Sequence, residues 1–317
     1  MSLGYWQDAD PLDALETARI VADCGYDDLW LGEMATFDAF ALATAVGLAH
    51  TSLRLTVGPL APAVRDCVSL AMGAASVSAL VGRPVRLAIG ASSPVVVSRW
   101  HGRPYARTAR LLRESVQVLR PLLDGEKVSH RGDAVSTDGY HLRLPAPRSE
   151  LVLAAFGPAS VRTAGELADR MVANLCTPEL VSRLRAGLDD AARAAGRTAP
   201  PLSVWVPAAV DPTEATVEQL TRAMVGYLPA PGYGEMFAAA GFGDVVDFAR
   251  TGAAPRDVLA RVPAELPAAI GVVGDATTCR RRVDEFRAAG ADDVVIVPAT
   301  AGDPGGRRTL ETLARQA

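Results

Sequence analysis

Few side chains in this 317-residue sequence stand where chemistry usually happens. Glu33 closes the apolar run DLWLGE, so its carboxylate is either a hydrogen-bonded structural group or an acid–base residue at a strand end. Asp38 precedes FALATAVGLA, where it serves a site or simply caps a helix. Of the four histidines only His101, in SRWHGRPY, falls between a strand and a helix. It reads as a solvated loop residue or as a proton carrier. The run LAIGASSPVV ends a strand in Gly90, Ala91, Ser92 and Ser93, and residues this small let something approach the backbone closely.

Ordinary catalytic machinery is missing. GASSP opens like a nucleophile elbow but carries Pro94 in the fifth place, and no histidine follows His141, so a serine hydrolase reading of Ser92 is weak. There is no HExxH, CxxC or P-loop, and no histidines and carboxylates share a ligand-like spacing, so no metal is expected. Lys127 is the only lysine and lies in the polar segment GEKVSHRG, which argues against Schiff-base and pyridoxal-phosphate chemistry. Cys24, Cys67, Cys176 and Cys279 are widely spaced, as reduced thiols of a cytoplasmic protein would be. A net charge of −4 gives no pull toward nucleic acid or anionic membrane. No signal peptide or membrane-spanning run is legible. The expected partner is a small molecule, held by groups that a cofactor with its own chemistry would need.

The elements that position these residues alternate along the chain. DLWLGE (28–33), LRLTVGPL (53–60), VRLAIGA (85–91), LVLAAFG (151–157), RMVANLC (170–176), LSVWVPA (202–208) and DVVIVPA (293–299) are short and apolar, as parallel strands covered on both faces are. A first strand at about 2–6 makes eight. Helices lie between them. Asp10-Pro11 and Gly25 bracket one over 11–24, with Leu12, Leu15, Ala18, Val21 and Ala22 as its apolar face. Gly157-Pro158, Thr177-Pro178 and Asp303-Pro304 mark other helix starts. The expected fold is α/β, a (β/α)8 barrel over 1–317, with insertions at about 125–148 and 209–267. An open doubly wound sheet is the alternative, weakened because no GxGxxG follows a strand. In a barrel the site lies at the carboxyl ends of the strands. There the small residues and the helix starts near Pro158 and Pro178 make room for a flat ring and a phosphate. Arg99, Arg103, Arg107 and Arg110 could hold an acidic tail or form a solvated basic surface.

The blocks GYDDLWLGE, LTVGPLAPAVRDCVSLA, LAIGASSPVVVSRWHGRPY, LAAFGPASVRTAGELADRMVANL and GDATTCRRRVDEFRAAGADDVVIVPAT carry a family likeness over nearly the whole chain. The sequence resembles the luciferase-like monooxygenase superfamily, in its coenzyme F420-dependent oxidoreductase branch. The resemblance implies a barrel with insertions, hydride transfer between the deazaflavin and an organic substrate, and pairing of two copies, as members often do. It implies a bulge at Pro59, Leu60 and Ala61 with a non-prolyl cis bond at Leu60–Ala61. It places Gly90, Ala91, Ser92 and Ser93 against the cofactor, Gly157 and Pro158 at its phosphate, and Asn174 nearby. Glu33 falls beside the deazaflavin head and is the first candidate for the proton-carrying group, with His101 and Asp38 behind it. Desolvation of a buried carboxyl would suit that task.

The departures from the family pattern matter too. Met34 and Ser92/Ser93 stand where sugar-phosphate-oxidising members carry a histidine and a glutamate, and lysine is nearly absent, which argues against a sugar phosphate. Met34, Phe37, Trp100, Tyr105, Tyr227, Tyr233 and Met236 suggest an apolar pocket or core. Two readings compete with the F420 enzyme: an FMN-dependent monooxygenase of the same superfamily, and a barrel that binds a cofactor or ligand without turnover.

Overall fold

A computed structural model describes residues 1–4 and 10–314. The chain forms two compact units. One comprises Asp27–Val172 and Ala186–Pro201; the other comprises Met1–Tyr26, Ala173–Arg185 and Leu202–Ala317.

The first unit is a run of parallel strands with helices between them. β1 (Asp28–Leu31), β2 (Arg54–Leu60) and β3 (Arg86–Ile89) lie side by side. The chain then makes an antiparallel hairpin of β4 (Val128–Arg131) and β5 (Ser136–Tyr140), within the stretch expected to be an excursion. β6 (Leu151–Ala154) pairs with β3 and β7 (Arg170–Asn174) with β6, all parallel. β2 ends at Leu60 as its apolar run predicts, whereas β1, β3, β6 and β7 end two or three residues early, because residues such as Gly32, Gly90 and Phe156 continue the composition of a strand into a loop. The helices Ala39–Ala49 and Cys67–Val81 hold no charged residue, and they approach so closely that a Cβ on Gly73 would lie 2.4 Å from the Phe40 ring.

In the second unit β8 (Leu202–Val210) is buried along its whole length. It pairs in parallel with β9 (Val272–Gly274) and β10 (Asp293–Pro298). β9 is three residues long, and hydrophobic pattern does not reveal it. It brings the parallel strands to eight among the described residues. At the amino terminus the Ser2 amide bonds to the Ile296 carbonyl at 2.9 Å; the rest of the strand expected at 2–6 falls partly outside the described residues. The helix Asp13–Asp23 buries Thr17, Ala18, Ile20 and Val21. Leu12 and Leu15, expected on that face, are instead 61% and 41% exposed, because the helix starts at Asp13 and turns them outward. Residues 211–270 hold short helices packed on a core of Met224, Leu228, Phe237, Val246, Leu266 and Ile270.

Candidate active site

The carboxyl end of β1 delivers Glu33 to a compact charged cluster. Arg65, in the turn after β2, donates from Nε to Glu33 Oε1 and from Nη2 to Oε2, both at 2.8 Å. The Ala39 amide donates to Glu33 Oε2 at 3.1 Å. Arg65 Nη2 also bonds to Asp38, and its guanidinium carbon lies 5.6 Å from the Phe40 ring centre. Asp38 caps the helix Ala39–Ala49, accepting from the Phe40 and Ala41 amides at 3.0 Å each. Burial pushes the Asp38 carboxyl up, but the Ala41 amide and Arg65 outweigh it, so it titrates below the ordinary aspartate value. Its hydrogen bonds to Glu33 raise the Arg65 guanidinium above its usual value despite desolvation. Glu33 is thus half-buried and ion-paired; it is not a carboxyl isolated against apolar walls. Sequence reading missed Arg65 as the partner, since 32 positions separate the two residues.

The end of β2 is distorted. Its register with β3 shifts between Val57 and Leu60. Gly58 has φ +116°, and a Cβ there would sit 2.2 Å from the Ala88 carbonyl oxygen. The cis peptide is Gly58–Pro59, one step before the expected stretch, and Leu60–Ala61 is not cis. The tertiary amide before a proline makes cis far less costly than it is at a secondary amide. Leu60 is buried and its carbonyl accepts from the Gly90 amide at 2.9 Å, while Ala61 opens the turn that carries Arg65.

Around Gly90 the neighbours are small: a Cβ would lie 3.1 Å from the Ala154 Cβ and 3.2 Å from the Pro59 Cβ. Ala91 and Ser93 are half-buried and Ser92 is exposed. Ser92 has φ +57° and takes a hydrogen bond from the Tyr105 hydroxyl on its carbonyl at 3.2 Å. Ser93 Oγ accepts from the Val96 amide at 3.3 Å, starting the helical turn Val95–Trp100. His101 ends that turn on the surface. Gly157 precedes the helix Pro158–Leu167, and a Cβ on it would meet nothing within 4 Å. Pro158 has no N–H, so an anion at this helix start would meet the amides on either side of it. Met34, Trp100 and Tyr105 are exposed large apolar residues of this unit.

Asn174 lies in the other unit. Its Nδ2 is 3.5 Å from the Tyr227 hydroxyl, and the Tyr227 and Tyr233 rings meet edge to face at 5.0 Å. Desolvation pushes both phenols above the usual tyrosine value. Met236 is 4% exposed and belongs to the core. Among the described residues no cluster could hold a metal ion, and no helix is long and apolar enough to cross a membrane.

Parallel strands with intervening helices make an α/β fold whose bulged strand end lies beside an acid–arginine cluster. The model of the luciferase-like monooxygenase family matches residues 3–293, and the chain belongs to that family. It is an oxidoreductase. A Mycobacterium tuberculosis protein, provisionally named a coenzyme F420-dependent oxidoreductase, is 24% identical over 95% of both chains. The F420-dependent tetrahydromethanopterin reductase of Methanopyrus kandleri has the same TIM-barrel-like fold, with TM-score 0.85 at 16% identity over 100% of this chain and 97% of that one. The oxygenating constituent of Pseudomonas putida 3,6-diketocamphane monooxygenase, solved with FMN, aligns at TM-score 0.67 and 17% identity, over 99% and 96% of the two chains.

Proposed function

We propose that this chain is an F420-dependent oxidoreductase that transfers a hydride between the deazaflavin and a small organic substrate. The observation that carries the reading is the set of small groups at the strand ends, where Gly90, Ala154 and Pro59 leave no bulky side chain and Gly157 faces open space. These residues fit a flat ring and its phosphate-bearing chain. When bound, the deazaflavin supplies the hydride chemistry. Pro59, Leu60, Ala61 and Gly90 to Ser93 would hold the ring, and Gly157 and Pro158 the phosphate. Glu33 exchanges the proton with substrate. Arg65 and the Ala39 amide fix both its oxygens, so it is held in one orientation rather than swinging. Asp38 holds Arg65 in place, and His101 is the second candidate for the proton. Met34 and the serines stand in place of that subset's histidine and glutamate, which argues against a sugar phosphate as substrate.

Absorbance titration with F420 and with FMN tests the cofactor, and tighter binding of F420 is expected. Tighter FMN binding makes the chain a flavin monooxygenase. F420 that binds but is reduced by no donor makes it a carrier. Glu33→Gln should bind F420 as the parent does and lose about 10- to 100-fold in kcat; unchanged turnover removes Glu33 from the mechanism.

A further inference from the structure

Between Asp66 and Glu114 the sequence has arginines but not one carboxylate, in a chain whose net charge is −4. Most arginines elsewhere in the fold lie against acidic side chains or carbonyl oxygens, as Arg86, Arg120 and Arg197 do. Arg99, Arg103, Arg107 and Arg162 are exposed and have no ion-pair partner among the described residues.

Of these, Arg162 lines a surface groove. The helices Thr108–Leu123 and Pro158–Leu167 bound a groove of about 570 Å³, lined by Arg110, Arg113, Gln117, Arg162, Thr163 and Glu166 among others. That is the size of a small-ligand site. Glu114 also reaches the groove, but its carboxylate is spent on the amides of Asp133, Ala134 and Val135. Glu166 is spent on Arg113. Arg110 Nη1 is held by Asp133 at 2.9 Å and by Glu114 at 3.3 Å, which aims it and leaves the other N–H groups of its fork to donate. Arg162 offers its whole guanidinium. Arg107 stands at the start of the first helix, three residues before Arg110. The second helix begins at Pro158, the position assigned above to the cofactor phosphate.

We infer that this groove binds a short chain of anionic groups, carboxylates or phosphates, gathered by Arg110, Arg113 and Arg162. Planar guanidinium forks set along two facing helices suit successive carboxylates better than one compact anion. Two sources share that chemistry. One is the glutamate tail of F420, which FMN lacks, and this source rests on the function proposed above. The other is a free polyanion.

The test uses the full chain. Four probes are titrated at low and at moderate salt: F420 with its glutamates, the same deazaflavin stripped of them, a γ-linked triglutamate, and inorganic triphosphate. Each is repeated on Arg162→Gln and Arg162→Lys, with melting temperature as the folding control. If the tail is the occupant, the stripped cofactor binds more weakly. Arg162→Gln then weakens only the tailed form, by about three- to tenfold, and Arg162→Lys restores part of the loss. If a free polyanion is the occupant, triglutamate or triphosphate binds the parent and Arg162→Gln abolishes it, while the tail makes no difference. The inference is overturned if tailed and stripped cofactor bind alike and neither free polyanion binds. Failure of both deazaflavins to bind overturns the proposed function instead, and the free polyanions alone then decide this site.

Discussion

At the amino ends of the strands in the Asp27–Val172 unit, charge meets charge; at their carboxyl ends, backbone meets small groups and open space. Arg86 is 7% exposed and bridges Asp28 at 2.9 Å and Glu150 at 2.7 Å, tying β1, β3 and the start of β6 together. Arg120 closes on Asp169, whose carboxylate also takes the Leu151 amide at 2.7 Å. These five charged side chains are consumed by the fold. The other end has one paired cluster, Glu33–Arg65–Asp38, beside glycines whose smallness internal packing explains only in part. A Cβ at Gly58 would strike backbone, so that glycine is structural; a Cβ at Gly157 would strike nothing, so that one is not. The contrast separates residues bound up in the fold from the residues proposed to hold a cofactor, the division of labour between the two ends of barrel enzymes.

Three substitutions sharpen that division. Gly58→Ala should have the largest effect, about 3 kcal/mol or more of lost stability, since φ +116° and a 2.2 Å contact with the Ala88 oxygen leave no room for the methyl group. Thermal or urea unfolding measures it, and a loss below about 1 kcal/mol would mean that the bulge relaxes freely. Arg86→Ala should cost roughly 2–3 kcal/mol, less than a fully buried pair because Glu150 remains half exposed. The F420 affinity of the folded fraction should be unchanged; a large change would erase the distinction between the two ends.

Glu114→Gln should cost about 1–2 kcal/mol by loosening the β4–β5 hairpin. Burial pushes the Glu114 carboxyl up, but the Ala134 and Val135 amides and Arg110 pull it down to about 2 from an ordinary 4.5. A carboxyl lowered on folding contributes its stability above pH 4.5, and that contribution fades as pH falls toward 2. Stability measured across that window should therefore drop less steeply in Glu114→Gln than in the parent. Parallel curves would contradict the assignment.

Much of this was legible before any coordinates. Apolar β-branched runs located β1, β2, β3, β6, β7, β8 and β10, because strands covered on both faces have little freedom in composition. Asp38 was legible as a cap or a site residue, and the cap is observed, since a carboxylate before an apolar helix finds free amides there. The three-residue β9 was not, for it is too short to show a period. Neither was Arg65 as the mate of Glu33, because pairing across 32 residues depends on how two strand ends meet. Glu114 reads as one more surface charge on an amphipathic helix, yet it points inward to three amides. The cis bond was expected two peptides downstream, where the family pattern puts it, and this chain has a proline to take it at Pro59.

The central claim is that the strand end at Gly90 lies against a bound ring, and the dissociation constant of F420 for Gly90→Val tests it most directly. A side chain here would crowd the Ala154 and Pro59 Cβ atoms and displace the strand ends proposed to hold the ring. Contacts of 3.1 Å and 3.2 Å at the new Cβ should cost about 1–3 kcal/mol of stability, so affinity is compared on folded protein, and the account predicts binding weaker by at least about tenfold. Folded Gly90→Val protein that binds F420 within twofold of the parent would place the ring elsewhere.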